Sequence, residues 1–211
     1  MLVFWLHALV AVFAVMNPLG NVPIFLALTA NQLPADRVAL ARRSAIFAFL
    51  IILFFALLGQ GILQLFGITL DAFRVGGGIL LFLIAFNLLQ GRSSQVHSPS
   101  PAENTESLAK DDIAVVPLAT PILAGPGTIA TVMAMDGAGN GVSWISALLI
   151  IAAAAVVVLA TFLLFYNADR VRARISQTAI NLLARMMGLI LTTVAVQMIA
   201  MGIKGLFPGL G

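Results

Sequence analysis

The chain is apolar in blocks of roughly 20 residues, the length an α-helix needs to cross the hydrocarbon of a bilayer. Six such segments can be read: Leu2–Thr29, Ser44–Phe66, Ala72–Gln90, Ile113–Met135, Val142–Tyr166 and Ile180–Ile203. With 61% of residues hydrophobic and only 9% charged, a water-soluble fold could not cover its own surface, since soluble domains carry about 25% charged residues. The expected fold class is therefore all-α, a polytopic membrane protein of six transmembrane helices. A cleaved signal peptide is not expected at the start. No Lys or Arg precedes the first apolar run, and that run is too long.

Composition also narrows the chemistry. Without cysteine there is no thiol nucleophile, disulfide or Fe–S cluster. His7 and His97 are too few and too far apart for a histidine metal site, so no metal or cofactor is expected. An intramembrane enzyme would need a nucleophile and a base within reach of each other; one histidine stands near the N-terminus and the other in a linker, and no enzyme is expected. The excess of 11 Lys and Arg over 8 Asp and Glu resides mostly in loops. It is better explained by topology than by a nucleic-acid partner.

With both termini on one side, the loops on the other side carry Arg37, Arg42, Arg43, Arg92, Lys110, Arg170, Arg172 and Arg174. Lys204 stands on the terminal side and Arg74 at a helix start. Because cytoplasmic loops are enriched in Lys and Arg, both termini are expected outside the cytoplasm, in a multi-pass protein of the cell inner membrane.

Gly91–Asp112 is rich in Ser, Pro and acidic residues and reads as a flexible linker, with His97 a bystander. It divides the chain into a first three-helix unit, 1–90, and a second, 113–211. The units resemble each other. Asn17-Pro18-Leu19-Gly20-Asn21-Val22-Pro23 interrupts the first span, and Thr120-Pro121-Ile122-Leu123-Ala124-Gly125-Pro126-Gly127 interrupts the fourth. In each, a cap-type residue precedes one Pro, and a second Pro follows five positions on. Arg74, Gly77 and Gly91 recur at the same offsets as Arg185, Gly188 and Gly202. A unit with an odd number of spans enters the membrane upside down relative to its copy, so the expected architecture is a 3+3 inverted repeat with broken first and fourth helices, a design used by transporters.

A proline inside a helix lacks the N–H that the carbonyl four residues earlier would accept. Pro18, Pro23, Pro121 and Pro126 are thus expected to free the carbonyls of Ala14, Leu19, Pro117 and Ile122, and Gly20, Gly125 and Gly127 to let the chain unwind. Asn17-Pro18 and Thr120-Pro121 read as an N-cap followed by a first helical residue, each starting a new half-helix. Such breaks persist only inside protein or beside a cavity, because unpaired backbone groups facing lipid cost several kcal/mol each. Half-helix N-termini suit a carboxylate. The freed carbonyls, with Asn17, Asn21, Thr120 and Thr128, suit an ammonium group or a dehydrated Na⁺. The expected substrate-binding set is therefore Asn17, Pro18, Gly20, Asn21, Pro23, Thr120, Pro121, Gly125, Pro126, Gly127 and Thr128. The expected guest is a small polar metabolite such as a zwitterion, with Na⁺ as candidate coupling ion at the four carbonyls.

Elsewhere, Asn87 and Gln197 read as interhelical hydrogen-bonding groups or path-lining ones, and Gln60 and Gln64 as interfacial. Gly76-Gly77-Gly78 and Gly188 read as close-packing positions. Arg74 is placed to pair with Asp71. Arg74 and Arg185 are either snorkelling anchors or gate residues. No Asp or Glu lies deep in a span, which disfavours a carboxylate proton relay.

At Asn17–Phe25 the sequence resembles the MarC family of bacterial and archaeal membrane proteins. The likeness continues through Phe73-Arg74-Val75-Gly76-Gly77-Gly78, Pro117-Leu118-Ala119-Thr120-Pro121 and Ala124-Gly125-Pro126-Gly127-Thr128-Ile129. It extends to Arg185-Met186-Met187-Gly188-Leu189-Ile190 and Gly202-Ile203-Lys204-Gly205. The resemblance implies a six-span inner-membrane protein related to the lysine-exporter superfamily. An archaeal member associated with uptake of small neutral amino acids implies a solute of that kind. It implies no particular contact residues. The leading expectation is a secondary transporter worked by rocking of the two repeats; an ion channel or a structural or regulatory membrane protein is the alternative.

Overall fold

The computed structural model describes residues 1–90, 114–136, 144–174 and 176–210. The expected linker, with His97, lies outside them, as does the start of the fifth apolar segment. The chain is helical nearly throughout: α1 (Leu2–Met16), α2 (Val22–Leu28), α3 (Pro34–Leu65), α4 (Leu70–Leu89), α5 (Ala114–Leu123), α6 (Pro126–Asp136), α7 (Trp144–Tyr166), α8 (Ala168–Arg174) and α9 (Gln177–Leu206), closed by a 3₁₀ turn at Pro208–Leu210. Among the described residues, α3, α4, α7 and the Asn181–Leu206 part of α9 are long and apolar enough to cross a membrane.

Two of the apolar segments are each broken into two shorter helices. Leu2–Thr29 becomes α1 and α2, and Ile113–Met135 becomes α5 and α6. Two of the unbroken ones, α3 and α9, run longer than hydropathy alone implies. In α3, Pro34 fits the first turn and Asp36 complements its positive end. Its 32 residues span about 48 Å at 1.5 Å each, so the turns bearing Arg37, Arg42 and Arg43 extend past the hydrocarbon. The stretch after Tyr166, expected as a loop, contains the short helix α8. Asp169 of α8 pairs with Arg37 at 3.4 Å, and the same guanidinium donates to the carbonyls of Thr29 (3.0 Å) and Ala30 (3.3 Å). A cation thereby satisfies the negative end of α2.

Helix ends follow local chemistry. Thr69 and Ser176 accept from the N–H three residues on, starting α4 and α9. Gly67, at φ +66°, ends α3: its N–H binds the Gln64 carbonyl, and Ile68 N–H binds that of Leu63.

Two antiparallel helix pairs make the frame. In α3 and α7, buried alanines (Ala41, Ala45, Ala48 and Ala56 against Ala147, Ala153 and Ala154) allow close packing. In α4 and α9 the backbones themselves meet. A Cβ on Gly78 would lie 3.0 Å from the Ala195 carbonyl, one on Gly188 3.0 Å from that of Ala85, and one on Gly202 3.0 Å from Val75 N. The contacts run in opposite senses along the two chains, so the helices are antiparallel. Gly77 also packs tightly, against Ala130 and Met198, whereas Gly76 faces open space. Arg74 and Asp71 pair at 2.8 Å near the start of α4, as expected; Arg185 is exposed. Large apolar side chains such as Leu148, Leu159, Leu182 and Leu189 point outward, as a lipid-facing surface requires.

The α4–α9 contact yields a paired prediction. Gly78→Ala should lower the thermal unfolding midpoint in detergent, by the equivalent of about 1–3 kcal/mol for overpacking. Gly76→Ala should leave it unchanged or raise it, because it gains helix propensity with nothing to strike.

Candidate functional site

The α1–α2 break begins at Asn17, which ends α1 in the left-handed conformation (φ 46°, ψ 60°) with its N–H on the Phe13 carbonyl. Among non-glycine residues Asn adopts this geometry readily. Its side-chain oxygen accepts from Gly20 N–H at 3.3 Å, and a Cβ on Gly20 would overlap the Asn17 amide. Pro18, buried, denies the Ala14 carbonyl its usual donor. Asn21, only 5% exposed, stands before α2, and its amide reaches back 2.8 Å to the carbonyl of Met16, the last residue of α1.

The second break is built differently and closed alike. α5 is wound as a π-helix, whose carbonyls take donors five rather than four residues ahead; Ala124 N–H binds the Ala119 carbonyl at 2.8 Å. The wider winding suits a segment carrying Pro117 and Pro121, because it carries the carbonyl ladder past a residue that cannot donate. After Gly125, α6 starts at Pro126, which is exposed. Thr128, fully buried, donates at 3.0 Å to the carbonyl of Leu123, the last residue of α5. In both breaks a polar side chain closes a terminal carbonyl five residues back.

Three local expectations are corrected. Asn17 is a C-cap rather than an N-cap, because its left-handed backbone ends α1 instead of starting a helix. Thr120, half-buried, lies inside the π-helical winding, and the new half-helix starts six residues later at Pro126. Pro23 falls in the first turn of α2, where a missing N–H costs nothing; the Leu19 carbonyl takes Val22 N–H at 3.3 Å and is not left free.

The breaks are brought together. Met16, Val22 and Phe25 share one buried cluster with Leu118, Ile122, Leu123 and Ala124. A Cβ on Gly127 would lie 3.3 Å from Val15 and 3.1 Å from Ile84, so α6 leaves its break directly against the end of α1. Thr161 of α7 touches the same place, with its hydroxyl 3.3 Å from Met16 Sδ.

One turn further along α6, a cavity of about 470 Å³ opens between α1, α4, α6 and α9, with His7, Arg74, Thr131 and Gln197 in its wall. Thr131 carries one mark in the sequence: it stands three residues after Thr128, on the same face of α6.

These features define an integral membrane protein of the all-α class, with two discontinuous helices packed at its centre. The chain belongs to the MarC family of integral membrane proteins, whose family model matches residues 2–207. It is 46% identical to the UPF0056 membrane protein YvbG of Bacillus subtilis, over 97% of this chain and 96% of that one. It is 40% identical to a UPF0056 membrane protein of Methanocaldococcus jannaschii, over 96% and 97%. Identity to YhcE of Escherichia coli is 36%, over 95% and 92%. No solved structure matches.

The caps give separable outcomes. Asn21→Leu removes the donor to a buried carbonyl and should cost about 1–3 kcal/mol, visible as a lower unfolding midpoint. Asn17→Gly keeps the left-handed turn and should change that midpoint little, whereas Asn17→Ala should lower it by the equivalent of about 1 kcal/mol.

Proposed function

We propose that the chain is a secondary transporter of a small polar metabolite, a neutral amino acid being the favoured class. It moves solute rather than making or breaking bonds. Its six crossings form two inverted three-helix repeats, and solute binds where the interrupted helices of the two repeats face each other. The observation that carries this reading is the packing of Gly127 against Val15, which sets one interruption beside the other in the protein interior. Breaks in transmembrane helices are tolerated where they line a site or a cavity. The antiparallel course of α4 against α9 supports inverted insertion, since copies inserted the same way up would run parallel.

In this reading Asn17, Thr120, Gly125 and Pro126 present polar groups and backbone to the solute, while Asn21 and Thr128 hold the breaks open by closing their carbonyls. The N-terminal end of α6 offers N–H groups to a carboxylate. The carbonyls of Ala14 and Ile122, whose i+4 residues are both proline, are the candidates for Na⁺. Both termini lie outside the cytoplasm, and the Arg37–Asp169 end faces it, following the distribution of Lys and Arg.

Reconstituted vesicles test this. Labelled alanine should enter saturably, and Asn17→Gly and Thr120→Ala should each lower the flux about tenfold or more, the loss of one hydrogen bond to a charged group. Non-saturable ion current would instead indicate a pore, and the absence of solute flux across an amino-acid panel a structural role.

A further inference from the structure

Each of the two helix pairs of the frame leaves an apolar groove on the outer surface, and the two grooves differ in charge. The α3–α7 groove, about 330 Å³, has the buried Ala45 and Val158 on its floor and the half-exposed Ile46, Leu50 and Leu159 on its rims. The α4–α9 groove, about 410 Å³, is apolar as well. Grooves of this kind follow from packing one helix against another, and by themselves they take only the hydrocarbon of the bilayer. Among the described residues, the wall of the α4–α9 groove contains no ionisable side chain, whereas that of the α3–α7 groove contains Arg42.

Arg42 stands on the same face of α3 as Ala45, Ile46 and Leu50, two residues before the apolar segment that starts at Ser44. From Arg42 to Leu50 the groove follows the helix for about 12 Å, at 1.5 Å per residue. That is most of one leaflet's share of a hydrocarbon core about 30 Å thick. Phe162, in the same wall, meets the ring of Tyr166 with centroids 6.1 Å apart. Tyr166 is exposed at the end of α7 and shares a pocket with Pro34 and Arg37 of α3. An amphipathic ring at the end of a span marks the headgroup level, so the Arg42 end of the groove lies near that level. Arg42 is exposed and has no hydrogen-bond or ion-pair partner among the described residues. Its surroundings do not neutralise it: residues 34–43 and α8 together hold six Arg against Asp36 and Asp169, and Asp169 is taken by Arg37.

We propose that the α3–α7 groove binds one anionic phospholipid of the surrounding bilayer, its phosphate on the Arg42 guanidinium and one acyl chain along Ala45 and Val158. A guanidinium and a phosphate match as a planar fork of donors and a set of acceptor oxygens. A zwitterionic lipid presents the same phosphate but brings its own cation to an end already rich in Arg, so the selectivity is for net negative headgroups. The two helices come from opposite halves of the chain, and the lipid joins them. The site stands whether or not the chain carries solute between the breaks.

The test uses the full chain in phosphatidylcholine nanodiscs with a Trp reporter in one groove or the other, Leu50→Trp for α3–α7 and Leu83→Trp for α4–α9. The fluorescence of the chain without the reporter is subtracted. Phosphatidylglycerol with brominated acyl chains, which quench Trp on contact, is compared at the same mole fraction with brominated phosphatidylcholine. At position 50 the phosphatidylglycerol should be preferred about fivefold, the order expected of one basic residue at an anionic surface. At position 83 the two lipids should quench equally. Arg42→Gln should remove the preference at position 50, and Arg42→Lys, which keeps the charge, should retain most of it, with the unfolding midpoint in detergent checking that both variants fold. Equal quenching by the two lipids at position 50, the same preference at position 83, or a preference that survives Arg42→Gln would each overturn the proposal. So would a reporter at position 50 that neither lipid quenches, since protein rather than lipid would then cover the groove. Because only lipid contact is read, failure here is distinct from failure of transport.

Discussion

A helix that stops inside a bilayer leaves backbone carbonyls where no water can take them, and the centre of this protein depends on how that problem is solved twice. Asn21 closes the carbonyl at the end of α1 and Thr128 the one at the end of α5. The two solutions use different residues in different local geometries, one a left-handed turn and the other a π-helical winding, yet each reaches back five residues. An interruption closed in this way can be kept as a permanent feature of the fold. The half-helix that follows can then be aimed independently of the one before it.

The remaining helices make those interruptions tolerable by enclosing them. Alanines on α3 and α7, and glycines on α4 and α9, bring backbones close where lipid provides no hydrophobic drive for association. The apolar surface that would sit in a core in water faces outward here. Phe25 of α2 stacks on Phe165 of α7 at 4.4 Å, and Arg37 ties the end of α2 to α8. The short helix after the first break is thus held at its middle and at its C-terminal end.

Much of this was legible in the residues. Apolar length found the four helices long enough to cross a membrane, and paired prolines found both interruptions. Repeated glycines marked the α4–α9 contact, and the spacing of Asp71 and Arg74 gave their ion pair. The cap assignments misled for a physical reason: Asn before Pro suits a helix start, but Asn is also the residue best able to take a left-handed turn, and here the preceding helix claims it. Thr before Pro121 misled because a run of prolines can be absorbed by π-helical winding, which leaves no mark in a hydropathy pattern. Thr131 was invisible because an isolated Thr in a membrane helix normally bonds its own backbone; only coordinates show that this one does not.

The proposed transport requires the two interruptions to face each other and to move relative to one another. The chain has no native cysteine, and Val15 lies 3.3 Å from where a Cβ on Gly127 would be, so the pair Val15→Cys, Gly127→Cys can be oxidised without background. Disulfide formation in vesicles should be rapid and should arrest amino-acid flux, with recovery on reduction. Two thiols that label freely but never join, or a joined protein that carries solute as fast as the reduced one, would contradict it.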